Sequence, residues 1–535
     1  MFILKTLSVT ITGAAFVVGT VVNLAVSSST LAKEIIPRTQ LYAQFNPSAG
    51  VSQLCEGGLN SGGSSLTYSS SSSGNFCVSG TQPSSADTIT VNVDWNAVKG
   101  DNTSLELAFG LNATAAFKSE NFNNSAYSSH MAYMKPGIVR FHNVSNMEDS
   151  TSPDGLINTA NRSWDVNKIK RALTSSINMF GNNQPQRMMS IPTWPTWMDA
   201  NKDGFLDPDQ FDNYAKFCAD LVKIVNIDNH FNVKYWELTN EEDARYFTQF
   251  HAYGGWGALL DPSKPDRINE IITIYNKVAV AMKQVDRNIL TGGPSTARAD
   301  LKPFYIPFIK GTLDNLDFFT YHFYATGDGY TPDAEVYNVA NIIADYTKSM
   351  VQALNEASPN KHIPVMLDEF NINYNWSSYD SRMTNHKGAV FDALLIVKAI
   401  ESGADATMAW NEKDDIFGKT SSQDQLRLGG HLFYLMNNFL VGLRATTTTS
   451  DDNAVVPFAV ISSDTNHKNV LLINRSSSSK QIKTNFNGWM PAQTSIDKYQ
   501  ISSFGFTSET INWNSVRNGD LVLPENSVTL LSFSQ

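Results

Sequence analysis

Tyr235-Trp236-Glu237-Leu238-Thr239-Asn240-Glu241 and Ile363-Pro364-Val365-Met366-Leu367-Asp368-Glu369-Phe370 are two short apolar runs, each ending in acidic residues. A brief apolar run bounded by polar residues reads as a buried strand, so each predicts a strand that delivers a carboxylate at or near its C-terminal end. Working outward, strand-like runs recur at 105–111, 137–141, 187–191, 233–238, 289–292, 318–324, 364–370 and 407–410. Between them lie amphipathic stretches, among them 166–179, 211–225, 267–284, 340–355 and 387–402. Strand–helix alternation repeated eight times predicts an α/β fold, a closed parallel (β/α)8 TIM barrel over 104–438. The competing arrangement is an open doubly wound sheet. It is disfavoured because no Gly-rich phosphate loop follows the first strand and because charged and aromatic residues gather at the strand C-termini.

From 439 to 535 the helical pattern stops. Runs at 455–462, 469–474, 481–484, 495–500 and 521–534 alternate apolar and polar residues between polar turns, which predicts an accessory β-sandwich. Residues 33–103 carry few helix signals, and 61–73 is Gly/Ser-rich. Within that segment 88–95 alternates with period two. It is a candidate strand of the same sandwich, which would make that domain discontinuous.

Hydrophobic residues make up 42% and charged residues 17% of 535, as in a globular protein. A net charge of −11 without a basic stripe excludes a general nucleic-acid binder. Lys5, the uncharged apolar segment 10–26 and the small residues around Thr30-Leu31-Ala32 read as a cleavable export signal over 1–32. No later stretch approaches the length needed to span a bilayer, so the expected location is secreted, extracellular or periplasmic. Cys55 and Cys77 flank the Gly/Ser-rich stretch, and an exported loop of that kind predicts a disulfide between them. Cys218 sits at helical spacing among apolar residues and reads as a core thiol. Glycosylation sequons begin at Asn102, Asn112, Asn123, Asn143, Asn161, Asn375 and Asn474.

In a parallel barrel the functional residues lie at the strand C-termini. Counting strands puts Glu241 just after the fourth and Glu369 on the seventh, nearly opposite. Two facing carboxylates are the equipment for cutting a glycosidic bond: one protonates the leaving oxygen, the other attacks or activates water. Asn240, directly before Glu241, is placed to contact a sugar hydroxyl. His322 and Tyr324 end the sixth strand, where either can hydrogen-bond Glu369 and favour its charged form. Arg140 ends the second strand within reach of a carboxylate. Trp410 ends the eighth and offers an apolar face for a sugar ring. Trp194, Trp197, Trp256 and Trp376 are either further sugar platforms or plain packing. Glu237 points to the same face as Glu241, one layer deeper, as a buried paired acid.

Asn240-Glu241 on a fourth strand with Glu369 on a seventh resembles the large clan of (β/α)8 retaining glycosidases. Within it, 235–243, 317–324, 365–374 and 404–417 look most like glycoside hydrolase family 39, which includes β-xylosidases and α-L-iduronidases. The resemblance covers roughly 104–535, sandwich included. It implies that Glu241 is the general acid/base, Glu369 the nucleophile, Asn240 a contact to the sugar 2-hydroxyl, and His322 and Tyr324 lining of the subsite. The expected partner is an oligosaccharide or polysaccharide, and catalysis needs no cofactor. One position departs from the clan. Glu242 stands where proline is usual, and a second acid there either raises the pKa of its neighbour or points to solvent.

Asp199-Ala200-Asn201-Lys202-Asp203-Gly204 matches the opening of a calcium loop, with oxygen ligands at Asp199, Asn201 and Asp203, a further candidate at Asp207, and glycine at the sixth position. Gln210 stands at the twelfth instead of glutamate. The expectation is a possible structural calcium, against a plain Asp/Gly turn in which Asp207 caps the next helix. Metalloprotease and lipase motifs are absent from the sequence. The alternative from another class is a non-catalytic carbohydrate-binding or adhesion protein on the same fold.

Overall fold

Eight parallel strands close into a barrel in chain order: Phe109–Asn112, Ile138–His142, Gln186–Ser190, Tyr235–Glu237, Leu290–Thr296, Phe318–Thr326, Val365–Asn373 and Ala406–Ala409. The structure, a computed structural model, describes residues 88–99, 105–142, 154–181, 183–247, 266–463 and 467–534. The export signal, the Cys55–Cys77 pair, Trp256 and the sequons at Asn102 and Asn143 lie outside the described residues.

Alternation along each strand fills the barrel in layers. The lowest layer is an apolar plug of Ile138, Met188, Tyr235, Phe318, Met366 and Met408. Its bulk is accommodated by Gly110 and Gly292. A Cβ at Gly292 would fall 2.1 Å from the Phe318 ring, and one at Gly110 2.6 Å from Ile138. Above the plug the interior turns polar, with Asn112, Arg140, Glu237, His322 and Asp368 all fully buried. Helices such as Val166–Phe180, Phe211–Val222, Ile268–Val285, Asp333–Ala357 and His386–Glu401 surround the strands and bury their apolar sides in one continuous core.

Two departures from regular pairing decide which side chains enter the barrel. The seventh strand slips register against the sixth between Leu367 and Glu369. Such a bulge lets neighbouring residues share one face, and Asp368 and Glu369 both turn inward. The fifth strand slips between Pro294 and Thr296, which brings Ser295 into the barrel.

The C-terminal region is the expected accessory β-sandwich, its nine strands joined edge to edge in one hydrogen-bonded sheet. Its order is Gly505–Asn512, Ser495–Ser502, Ser527–Phe533, Lys468–Asn474, Val455–Ser462, Gly442–Thr449, Thr88–Lys99, Lys480–Asn487 and Leu521–Leu523. The sheet folds over itself, because Phe486 and Phe533 meet at 5.2 Å although four strands separate theirs. One face encloses a cluster with Trp95, Val470, Leu472, Trp513 and Phe533. The other sends Phe458, Leu471, Ile473, Val528 and Leu530 into the barrel's own core. Thr88–Lys99 runs antiparallel to Gly442–Thr449 on one side and parallel to Lys480–Asn487 on the other, so it is an internal strand.

Candidate active site

The fourth strand ends at Glu237, and the chain then turns inward over Asn240 and Glu241. Glu241 has φ of 57°, a left-handed conformation unusual outside glycine. Its amide donates to the Ser295 carbonyl at 2.8 Å, which ties the turn to the fifth strand. Glu369 faces it from the seventh strand. One carboxylate oxygen of each, together with a His322 ring nitrogen, lie within 4.8 Å of one another. Both acids line a cavity of about 480 Å³ with Asn240, Tyr324, Trp410 and Trp376.

Arg140 organises this floor. Its Nη1 donates to Glu369 Oε2 at 3.0 Å and to Asn112 Oδ1 at 2.9 Å. Its Nη2 donates to Glu237 Oε2 at 2.6 Å and to Asn240 Oδ1 at 2.6 Å. With Oδ1 occupied, the Asn240 amide nitrogen is the atom left for the cavity. The other oxygen of Glu369, Oε1, accepts from the Tyr324 hydroxyl at 2.7 Å. Burial works against the Arg140 charge, but Glu237, Asp368 and Glu369 outweigh it and hold its pKa above the ordinary value.

The acids around Arg140 divide into charged and neutral. Burial and then the Glu237 charge push the Asp368 carboxyl well above its usual range. Burial also opposes ionisation of Glu237, yet Arg140 holds its pKa below the ordinary value. Glu237 Oε1 and Asp368 Oδ1 are both buried without another hydrogen-bond partner. A proton held by Asp368 and donated to Glu237 satisfies both atoms. Burial raises Glu241 to about 7, against a smaller opposing pull from Arg140, so its carboxyl keeps a proton near neutrality. The cavity thus holds one carboxyl suited to donating a proton beside one flanked by a cation and a hydroxyl.

His322 sits differently from its expected place. It is fully buried and lies behind the cavity rather than lining it. Its Nδ1 is 2.9 Å from Glu241 Oε1 and its Nε2 2.7 Å from Ser295 Oγ, so it orients the acid while Tyr324 serves Glu369. Burial, then the Arg140 charge, lower its pKa and favour the neutral ring. Glu242 does not point to solvent. It is 3% exposed, with Oε1 3.5 Å from Arg245 and Oε2 without a hydrogen-bond partner, and burial raises it to about 8. Trp194 packs against Tyr214 and Tyr246, and Trp197 against Phe217, as core rather than platforms. Trp410 does line the cavity, edge-on to His142 and Trp376. Sequence reasoning overlooked Asn112, Ser295 and Asp368 around Arg140 and, among the residues lining the cavity, His142, Lys118, Lys413 and Asp414.

Among the described residues the 199–207 loop is not a place where three acidic or histidine groups converge. Its side-chain oxygens accept loop amides: Asp199 from Asp203 and Gly204, Asn201 and Asp203 from the residues two further on, and Asp207 from Ala200. Asp207 therefore makes no side-chain cap to the following helix either. The sequons at Asn112 and Asn474 are also excluded as glycan sites in the fold, since both side chains are fully buried and bonded within the protein.

A TIM barrel with paired glutamates at its C-terminal mouth is the architecture of a glycoside hydrolase, and that is the class of this protein. Residues 262–439 match the model of glycosyl hydrolases family 39. That stretch holds the fifth to eighth strands, with His322, Tyr324, Glu369 and Trp410; Glu241 lies outside it. Solved structures share the fold. A monomeric β-xylosidase from Caulobacter crescentus CB15 is 13% identical, covering 83% of this chain and 99% of its own, with a TM-score of 0.58. An α-L-arabinofuranosidase from Thermotoga maritima is 13% identical, covering 84% and 100%, at 0.59. A GH30 endoxylanase from Clostridium papyrosolvens C71 is 16% identical, covering 83% and 100%, at 0.56. At such identities the likeness speaks for the fold alone. No curated protein matches the chain in sequence.

Proposed function

We propose that the protein is an exported retaining glycosidase that acts by double displacement. The observation that carries this reading is the short gap between the two acids, whose oxygens come within 4.8 Å. Retaining enzymes hold their carboxyl groups about 5–5.5 Å apart, whereas inverting ones leave about 6.5–9.5 Å for a water. Glu369 attacks the anomeric carbon while Glu241 gives its proton to the departing oxygen. Glu241 then takes a proton from the water that releases the sugar from Glu369. The Asn240 amide contacts the 2-hydroxyl, and Trp410 packs against the ring. The substrate is a neutral glycoside of the β-xyloside or related oligosaccharide kind, a reading supported by the family 39 match and by the xylosidase and arabinofuranosidase among the fold's relatives. Export rests on the N-terminal pattern of 1–32.

A panel of aryl glycosides identifies the sugar, and proton NMR of the first-formed product reads its anomeric configuration. Retention is the expected result; an inverted product sinks the double displacement. Glu241→Gln is expected to slow substrates with poor leaving groups by about 10²–10⁴-fold in the first step and to spare those with good ones. Equal loss on both removes Glu241 from the acid role.

A further inference from the structure

Five Phe, Tyr or Trp side chains are exposed among the described residues, and four of them lie on the loops after the sixth and seventh strands. Tyr330, at 86%, lies on the loop after the sixth strand. Tyr374, Trp376 and Tyr379, at 36%, 56% and 58%, lie on the loop after the seventh. Tyr374 and Trp376 line the cavity, whereas Tyr330 and Tyr379 lie on the same two loops without lining it. Rings left in water give up the burial that ordinarily stabilises them, and a contiguous group of them marks a binding surface.

The loops that carry these rings are fixed. The Tyr374 amide donates to the Thr326 carbonyl at 3.1 Å, and Asn375 Nδ2 to the Gly327 carbonyl at 3.3 Å. Arg382 joins the two loops, bonding Asp380 on one at 2.6–3.1 Å and the Thr331 carbonyl on the other at 2.5 Å. A Cβ at Gly327 would fall 2.3 Å from the Tyr374 hydroxyl oxygen, and one at Gly329 2.8 Å from the Tyr379 carbonyl oxygen. Only glycine permits this approach. Asp328 Oδ1 accepts the amides of Tyr330 and Thr331, which sets the turn beneath Tyr330. Trp376 meets Trp410 and Phe417 edge-on, so its ring is held without being covered. A row of rings held in advance loses little side-chain freedom when a ligand lies on it.

We infer that this aromatic ridge is an extended subsite that holds further units of a neutral polysaccharide chain beyond the bond being cut. The inference rests on the proposed glycosidase reading and names its substrate as a polymer rather than a disaccharide or short glycoside. A sugar ring presents a flat face of C–H bonds suited to an aromatic face, and the loop that carries three of these rings also walls the cavity through Tyr374 and Trp376. A neutral chain fits because the charges of the two loops are engaged within the protein: Arg382 pairs with Asp380 and Asp333, and Asp328 accepts the Tyr330 and Thr331 amides.

The test compares wild type with Tyr330→Ala, Tyr379→Ala and the double variant, since neither tyrosine lines the catalytic cavity. Each is assayed on an aryl monosaccharide glycoside and on soluble xylan, arabinan and mixed-linkage β-glucan. Affinity electrophoresis in the same polysaccharides reads binding apart from turnover. The expected result is unchanged kcat/KM on the aryl glycoside, a rise in polymer KM of roughly two- to tenfold for each ring removed, and lost retardation in the gel. Aryl turnover also serves as the control for folding. Polymer kinetics that stay at wild-type values in the double variant overturn the ridge, as does a wild type that no polysaccharide retards. A wild type that is retarded through these tyrosines but cleaves no glycoside leaves the ridge standing and removes the glycosidase reading.

Discussion

Glu241 adopts φ of 57°, and a left-handed glutamate costs about 1–3 kcal/mol of backbone strain that surrounding contacts must hold. The Ser295 carbonyl and His322 hold it. The acid's raised pKa, about 7, comes first from burial, so activity is expected to fall as pH rises through about 7, when the proton that the leaving oxygen needs is lost. A pH–rate profile with no basic limb near that value contradicts this. Arg140→Met is expected to destabilise by about 3–5 kcal/mol in urea unfolding, since the buried Glu237 carboxylate is left without its cation, and to remove turnover by freeing Glu369 and Asn240. At this scale the sequence placed Glu241, Glu369, Asn240, Arg140, Tyr324 and Trp410 together, because each lies in or just after the C-terminal half of an apolar run that forms a barrel strand. It was silent on the Glu237–Asp368 proton and on Ser295. Those depend on which of two adjacent residues faces inward, which alternation alone answers wrongly at a bulge.

Strands were easier to read than helices, for a physical reason. Most of the barrel strands are short apolar runs; the fifth, Leu290–Thr296, is a run of small and polar residues. The positions of all eight came through within a few residues. The helices Lys302–Thr312 and Leu428–Phe439 did not. The first contains Pro303, Pro307 and Gly311, and the second opens on Gly429 and Gly430, all poor helix formers. Packing overrides propensity there, as a Cβ at Gly430 would meet the Leu426 side chain at 2.4 Å. The plug gives a sharper test of packing. Gly292→Ala puts a methyl 2.1 Å from the Phe318 ring. It is expected to destabilise by about 1–3 kcal/mol through overpacking, read as a lower midpoint in urea. An unchanged midpoint shows that the plug is looser than described.

Over the whole molecule, the sheet and barrel share a core, so the C-terminal region is not an appendage. Deleting 440–535 strips Phe458, Leu471, Ile473, Val528 and Leu530 from the barrel's core. The expected outcome is an insoluble barrel, against the picture of a soluble catalytic fragment. Removing 88–99 takes out an internal strand, and a large fall in Tm is expected; an unaltered Tm contradicts the pairing. Charge gives a second global test. Burial raises Glu241 to about 7, Glu242 to about 8 and Glu412 to about 7. A carboxyl raised in the fold contributes stability below its unfolded pKa, and this is lost as pH rises through the folded value. The buried His142 and His322 are lowered by burial. Their contribution has the opposite sign and is already complete once pH exceeds the ordinary histidine value. Tm is therefore expected to fall between about pH 6.5 and 8.5, and Glu242→Gln to flatten that fall. A Tm that rises over this window contradicts the assignment of neutral buried acids.

The central claim is that Glu369 is the atom source that attacks the sugar. It is tested most directly by incubating the enzyme with an activated 2-deoxy-2-fluoro analogue of whichever glycoside it cleaves and sequencing the labelled peptide by mass spectrometry. The account predicts one glycosyl adduct per chain, on the peptide Val365–Asn373 and at Glu369, absent from Glu369→Ala. An adduct on another carboxylate, or one that persists in Glu369→Ala, contradicts it.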